Sequence, residues 1–264
     1  MSDSTRPGDP VWTDLFTTDT DGAIAFYGEL FGWTAEVAPE HGDYITFRKD
    51  GKAVAGGMRN DGSGGPSQWM VYLDTPDVER TAEAVAASGG MVVMPPMAVG
   101  DLGKFAIFGD NGGVGIGAWE SGTMGGFELR GIVGDGHWDG HVGAPSWFEL
   151  HTRTYDDALK FYREVFGWQD PFTIGDTPEF RYTTIHSTTP MLGGVMDATT
   201  FLPPGVPGYW TVYFGVEDVD ASVRKVAELG GTILRPAEDT PYGRLAAVTD
   251  PTGVQFSLGG NKSA

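Results

Sequence analysis

The 264-residue sequence contains no cysteine, which removes disulfide staples, thiolate nucleophiles and cysteine metal ligands together. Basic residues are scarce. Lys and Arg number 17 against 36 Asp and Glu, a formal charge of -19, so a phosphate backbone or an anionic bilayer is repelled, and neither nucleic acid nor membrane is expected as a partner. The same field gathers a cationic small molecule or simply keeps the chain soluble. No stretch approaches the ~18 continuous apolar residues of a spanning helix. The residues from Met1 to Pro7 form neither the basic nor the apolar region of a secretory signal, so a cytoplasmic location is expected. Gly112-Gly113 lacks the strand, glycine spacing and helix of a nucleotide loop, and no Gly-x-Ser-x-Gly nucleophile motif is present. No cofactor is implied.

What is present is a duplication. Pro10-Val11-Trp12-Thr13-Asp14-Leu15 recurs as Pro145-Ser146-Trp147-Phe148-Glu149-Leu150. Phe26-Tyr27-Gly28-Glu29-Leu30-Phe31-Gly32-Trp33 recurs as Phe161-Tyr162-Arg163-Glu164-Val165-Phe166-Gly167-Trp168. Further landmarks follow in the same order: Gln68-Trp69-Met70-Val71-Tyr72-Leu73 with Tyr209-Trp210-Thr211-Val212-Tyr213-Phe214, Gly89-Gly90 with Gly230-Gly231, and Asp110-Asn111-Gly112-Gly113 with Asp250-Pro251-Thr252-Gly253. A repeat of this length is the first-order fact about a fold. It places one domain at 9–121, a Gly-rich linker at 122–143 and a second domain at 144–260. The linker's His137 and His141 stand four apart, but no third donor is fixed there, so they read as solvated.

Each copy divides again into two units of similar layout. An alternating segment from Val11 is followed by a helical stripe (Ala23, Ile24, Phe26, Tyr27, Leu30, Phe31) closed by Gly32, and then by short strands. A second strand from Trp69, a helix over 77–88 stopped by Gly89-Gly90 and further strands repeat the pattern. The unit is βαβββ. Paired units predict an α+β class in which each copy forms a curled, cup-shaped mixed sheet, helices on one side and an open face on the other.

The helix ending in Phe-Tyr-x-x-x-Phe-Gly-Trp, the Gly-Gly stop and the Asp-Pro-x-Gly turn before the last strand resemble the vicinal oxygen chelate superfamily of glyoxalases, bleomycin-resistance proteins and extradiol dioxygenases. The tandem layout is similar to the two-domain actinobacterial hydroxylase-like type, which includes anthracycline-pathway accessory proteins. The resemblance implies a divalent ion held by a His at the start of each unit's first strand and a Glu after the glycine turn. Those places are occupied here by Trp12, Trp69, Trp147 and Trp210, and by Gly117 and Ser257. Indole has no lone pair to offer a cation, so no metal is expected.

Indole faces stack on planar rings and attract cations. The four tryptophans therefore either line two aromatic cups or fill them as core. Strand alternation groups Trp12 with Asp14 and Phe16, and Trp147 with Glu149 and His151. Each cup then holds a carboxylate beside its indole, and only the second also holds an imidazole. Two functions are carried forward from this. In one, the chain is a metal-free protein that binds or sequesters an aromatic, cationic or anthracycline-like metabolite, with a biosynthetic oxygenase as a partner. In the other it is a lyase, isomerase or hydroxylase-related enzyme using Glu149 and His151 as acid-base pair. His41 and His186 are expected to be isolated, exposed or in strands.

Overall fold

The computed structural model describes residues 6–62, 65–134, 136–139, 141–186 and 191–262; Asp135 and Gly140 of the linker lie outside them. The first copy runs β1 (Pro10–Thr17), α1 (Thr20–Phe31), β2 (Thr34–Ala38), β3 (Tyr44–Lys49), β4 (Lys52–Arg59), β5 (Gln68–Asp74), α2 (Val78–Ala87), β6 (Met91–Val99), β7 (Gly103–Gly109) and β8 (Gly115–Ser121). The linker contributes β9 (Val133–Gly134) and β10 (His137–Trp138). The second copy runs β11 (Pro145–Thr152), α3 (Tyr155–Phe166), β12 (Phe172–Asp176), β13 (Arg181–Thr184), β14 (Gly193–Asp197), β15 (Tyr209–Gly215), α4 (Val219–Glu228), β16 (Thr232–Thr240), β17 (Gly243–Thr249) and β18 (Gln255–Gly260).

Each copy makes one eight-stranded mixed sheet, ordered β2-β3-β4-β1-β5-β8-β7-β6 in the first and β12-β13-β14-β11-β15-β18-β17-β16 in the second. The first strand of each unit pairs in parallel with the last: β1 with β4, β5 with β8, β11 with β14 and β15 with β18. Hairpins such as β3 with β4 and β17 with β18 are antiparallel. The expected α+β class holds.

The helices form where the apolar stripe and the caps agree. In α1, Ala23, Phe26, Tyr27 and Phe31 are buried along one face, Asp19 accepts from the Gly22 N–H, and Gly32 ends the helix at φ 69°. A side chain in that left-handed conformation is strained, which is why Phe-Gly-Trp recurs and why Gly167 adopts φ 74° after α3. Asp77 and Asp218 cap α2 and α4 by accepting from the N–H of Arg80 and Ala221.

The edge strand β6 exposes Met91, Val93 and Met97. Pro95 and Pro96 interrupt its register with β7 between Met94 and Met97. Missing N–H groups and a shifted ladder blunt edge-to-edge pairing.

Packing does not follow the copies. One compact unit comprises Met1–Trp12, Met70–Gly126 and Phe148–Trp210; the other comprises Thr13–Trp69, Phe127–Trp147 and Thr211–Ala264. Each therefore takes half of each sequence copy. The reason lies in the buried polar chains joining the landmark motifs. In the second unit, Trp69 Nε1 donates to the Tyr27 hydroxyl (3.2 Å), which donates to Asp250 (3.3 Å). In the first, Trp210 Nε1 donates to Tyr162 (3.0 Å), which donates to Asp110 (3.2 Å). The aspartates also accept from their own turns, Asp250 from Thr252 and Val254 and Asp110 from Gly112 and Val114. The tyrosine of one copy is thus tied to the glycine turn of the other.

The linker is ordered where it is described. Its antiparallel pair joins His137 to Gly134 and Trp138 to Val133. Val133 and Trp138 are buried in a cluster with Tyr213, against which Trp147 and Leu245 pack.

Candidate functional site

The register separates the two faces of each first half-sheet, because paired residues project to the same side. In the second compact unit Leu15 pairs with Gly57, and Phe47 packs on Tyr27 of α1 with ring centroids 6.2 Å apart. This is the helix-packed face, to which the fully buried Thr13, Leu15 and Thr17 belong. Asp14 pairs with Gly56, and Gly56 with Thr46, on the opposite face. There the Tyr44 hydroxyl donates to Asp14 Oδ1 at 2.7 Å. Both lie over Gly56: a Cβ at that position would come within 1.9 Å of the Tyr44 oxygen and 2.1 Å of Asp14 Oδ1. Glycine is required by this close approach rather than by any turn. Phe16 pairs with Met58 on the same side.

The first compact unit repeats the arrangement. Glu149 pairs with Gly194, and His151 with Met196, which pairs in turn with Tyr182. A Cβ on Gly194 would meet the Tyr182 hydroxyl at 2.4 Å. An acid, a tyrosine and a glycine thus hold the same register in both copies. His151 is the addition. Its Nε2 lies 2.7 Å from Glu149 Oε1, with the two side chains 12% and 9% exposed. The approach has ion-pair distance but not hydrogen-bond alignment, so among the described residues neither ring nitrogen has a hydrogen-bond partner. The imidazole stacks on Tyr209 (4.8 Å, 9° between planes) and meets Phe201 edge-on (5.5 Å, 88°). It pairs a buried acid with a half-buried imidazole in an aromatic frame, with unused polar capacity on the ring.

Two of the four expected cup tryptophans are on the other side. Trp69 alternates with the fully buried Val71 and Leu73, and its ring meets Tyr27, Trp33 and Phe214 edge-on at 5.4, 6.3 and 5.3 Å. Trp210 meets Tyr162 at 5.7 Å. With their N–H groups donated to those tyrosines, Trp69 and Trp210 belong to the helix-packed core. A displacement of one position along a strand changes the face, and the neighbours on the face turned away from the helices are Met70 and Tyr72 in β5, and Tyr209, Thr211 and Tyr213 in β15, of which all but Tyr209 are buried. Trp12 and Trp147 alternate as expected, with Trp12 4% exposed and Trp147 half-buried.

His186 also departs from expectation. It is buried, with Nε2 2.6 Å from Asp9 Oδ1 and Nδ1 3.3 Å from Asp170 Oδ1. Asp9 accepts from the Arg6 N–H as well. Nearby, Asp74 is pushed up to about 6 by burial first and by the Asp9 carboxylate second. His137 is exposed, and His141 lies 3.8 Å from Asp139.

Sequence reasoning missed Tyr44, Tyr182, Gly56, Gly194, Tyr209 and Phe201. A Gly-x-Met signal was available, since Gly56-Gly57-Met58 corresponds to Gly194-Val195-Met196, and the tyrosines stand at matching places in β3 and β13.

The sequence profile of the Glyoxalase/Bleomycin resistance protein/Dioxygenase superfamily matches residues 10–117 and 144–258. The chain is 38% identical to the anthracycline biosynthesis protein DauV of Streptomyces sp. (strain C5), over 96% of this chain and 93% of that one. It is 37% identical to the anthracycline biosynthesis protein DnrV of Streptomyces peucetius, with the same coverage. Among solved structures, the Mn(II)-bound glyoxalase from Novosphingobium aromaticivorans superimposes with a TM-score of 0.60 at 18% identity, over 97% of this chain and 83% of that one. At that identity the likeness concerns the fold.

A chelated ion needs several imidazole or carboxylate donors converging on one point. Glu149 and His151 supply two. Among the described residues, the only three His, Asp or Glu side chains whose ligand atoms converge are Asp77, Glu79 and Glu120 at the start of α2. There the Lys104 ammonium already lies 3.1 Å from Glu79 and 3.3 Å from Glu120. Trp12, Trp147, Gly117 and Ser257 provide no donor set at the strand positions where the resemblance puts a metal. The residues present do not fit such an ion.

Proposed function

The chain belongs to the Glyoxalase/Bleomycin resistance protein/Dioxygenase superfamily, and from that premise we propose that it binds a planar aromatic small molecule on the sheet faces turned away from the helices, without a chelated metal. The single observation that carries this reading is the recurrence of a carboxylate among aromatic rings at one register in both copies: Asp14 with Tyr44, and Glu149 with Tyr182. Phe16 and Trp147, both half-buried, stand on the same strands and supply stacking surface, whereas Trp12, 4% exposed, is packed as core. A nearly buried carboxylate favours a ligand that brings donors or positive charge, and the charge of -19 draws such a ligand in. A cationic polyketide of the anthracycline kind meets both requirements, and the names of the Streptomyces relatives point to the same chemistry. In this role the protein sequesters its ligand or passes it to and from a biosynthetic oxygenase.

Titration of tryptophan fluorescence with daunorubicin tests the reading. Saturable quenching that is weakened about tenfold by Glu149→Gln or Trp147→Ala supports it. An unchanged wild-type spectrum across a panel of planar cationic and neutral polyketides sinks it.

A second reading rests on the Glu149–His151 contact. Glu149 can orient the imidazole while the other ring nitrogen takes or gives a proton, the arrangement of general acid-base catalysis. The first copy, with Phe16 at the corresponding place, cannot do this. Chromatography of the ligand after incubation separates the two. A new product that His151→Ala abolishes carries the catalytic reading, whereas unaltered ligand and retained binding in that variant carry the first.

A further inference from the structure

Among the described residues, the face of each second half-sheet turned away from its helix carries one indole, and the two copies obtain it from different parts of the chain. In the first compact unit the indole belongs to β8 itself. Trp119 pairs with Phe105 and lies across Gly103, where a Cβ would come within 2.6 Å of its ring. Its N–H donates to the Met124 carbonyl at 2.9 Å.

In the second compact unit the matching register position, paired with Leu245, is Gly259. The space above it is taken by Trp138 from the linker. A Cβ on Gly259 would come within 2.1 Å of the Trp138 ring, and one on Gly243, the counterpart of Gly103, within 2.5 Å of Trp138 Nε1. The Trp138 N–H donates to the Tyr242 carbonyl at 3.0 Å. The backbone of Trp138 is clamped by Asn261, whose side chain accepts from its N–H and donates to its carbonyl, both at 2.9 Å. Trp138 is 4% exposed, and it packs with Tyr213, Trp147 and Leu245.

We infer that Trp138 is the second copy's counterpart of Trp119, a positioning residue through which the linker completes the face turned away from the helix by bracing Trp147 and Tyr213. Gly259 is the consequence, because strand and linker cannot both place an indole there. The effect on ligand rests on the binding reading above; the exchange of indoles does not.

The test moves the indole from the linker back to the strand. Trp138→Gly is expected to lower Tm by about 5 °C and to weaken daunorubicin quenching by about tenfold. Gly259→Trp alone is expected to destabilise the fold by a similar shift, because two rings compete for one space. The double variant Trp138→Gly/Gly259→Trp is expected to recover most of the Tm lost by either single change, together with the quenching. A double variant no more stable than Trp138→Gly overturns the equivalence. Recovery of Tm without recovery of quenching overturns the bracing role. If the wild type does not bind daunorubicin, the ligand clause falls with the binding reading, while the Tm comparison still decides the exchange.

Discussion

The Tyr27 hydroxyl of the first copy donates to the Asp250 carboxylate of the second, 223 positions away in the chain, at 3.3 Å. Tyr27 is fully buried and also accepts from Trp69. Burial is the main cause holding its hydroxyl neutral, well above the usual tyrosine range, and the Asp250 charge adds to it. Removing the hydroxyl leaves two buried partners short of a hydrogen bond, which costs about 1 to 3 kcal/mol. Tyr27→Phe is expected to lower the urea midpoint accordingly with an unchanged slope. Tyr162→Phe is expected to do the same through Trp210 and Asp110.

Asp74 predicts a pH dependence with a definite sign. Its carboxyl is raised from 3.8 to about 6, so between those values the folded form holds a proton that the unfolded chain has released. The contribution of Asp74 to stability is present below the window and declines as pH rises through it. Asp9, held by His186 and the Arg6 N–H, is the charge opposing its ionisation. Asp74→Asn is expected to flatten this decline in denaturation curves taken from pH 4 to 7. An unchanged slope would show that Asp74 titrates normally.

The two faces predict opposite phenotypes for two tryptophans. Trp69→Phe removes an N–H from the buried chain to Tyr27 and is expected to cost about 1 to 3 kcal/mol in chemical denaturation, while ligand affinity stays within about twofold. Trp147→Ala is expected to weaken ligand by about tenfold. The reverse pattern would return Trp69 to the binding surface.

Chelation supplies a further check. Dialysis against EDTA is expected to leave both Tm and daunorubicin affinity unchanged, and Mn(II) added back is expected to show no stoichiometric site by calorimetry. Tight one-to-one uptake of Mn(II) per copy would contradict the donor count around Glu149 and His151.

Much of the architecture was readable from local signals. The stripe Ala23, Phe26, Tyr27, Phe31 and the Gly32 stop dictate a helix wherever they occur. The recurrence of that segment at Phe161 to Trp168 dictates two of them in equivalent places. Alternation was enough to put Asp14 beside Trp12 and Glu149 beside His151. Tyr44 was not readable as the partner of Asp14, nor Tyr182 as its register counterpart beside Glu149, because these placements depend on how β3 and β13 register across the chain rather than on spacing within a strand.

The amino-acid order alone therefore determined the acidic field, which is composition, the duplication, which is a repeat of matched segments, and the α+β class with an acid beside an aromatic ring on each first strand, which rest on periods of two and 3.6 residues that any short segment carries. Only the tertiary structure decided that Trp69 and Trp210 face the helices, that each compact unit takes half of each copy, and that Trp138 of the linker lies where a strand residue stands in the first copy. These outcomes turn on which buried hydrogen-bonding groups find partners and which glycines leave room for a ring, and that accounting closes only when segments far apart in the chain have met.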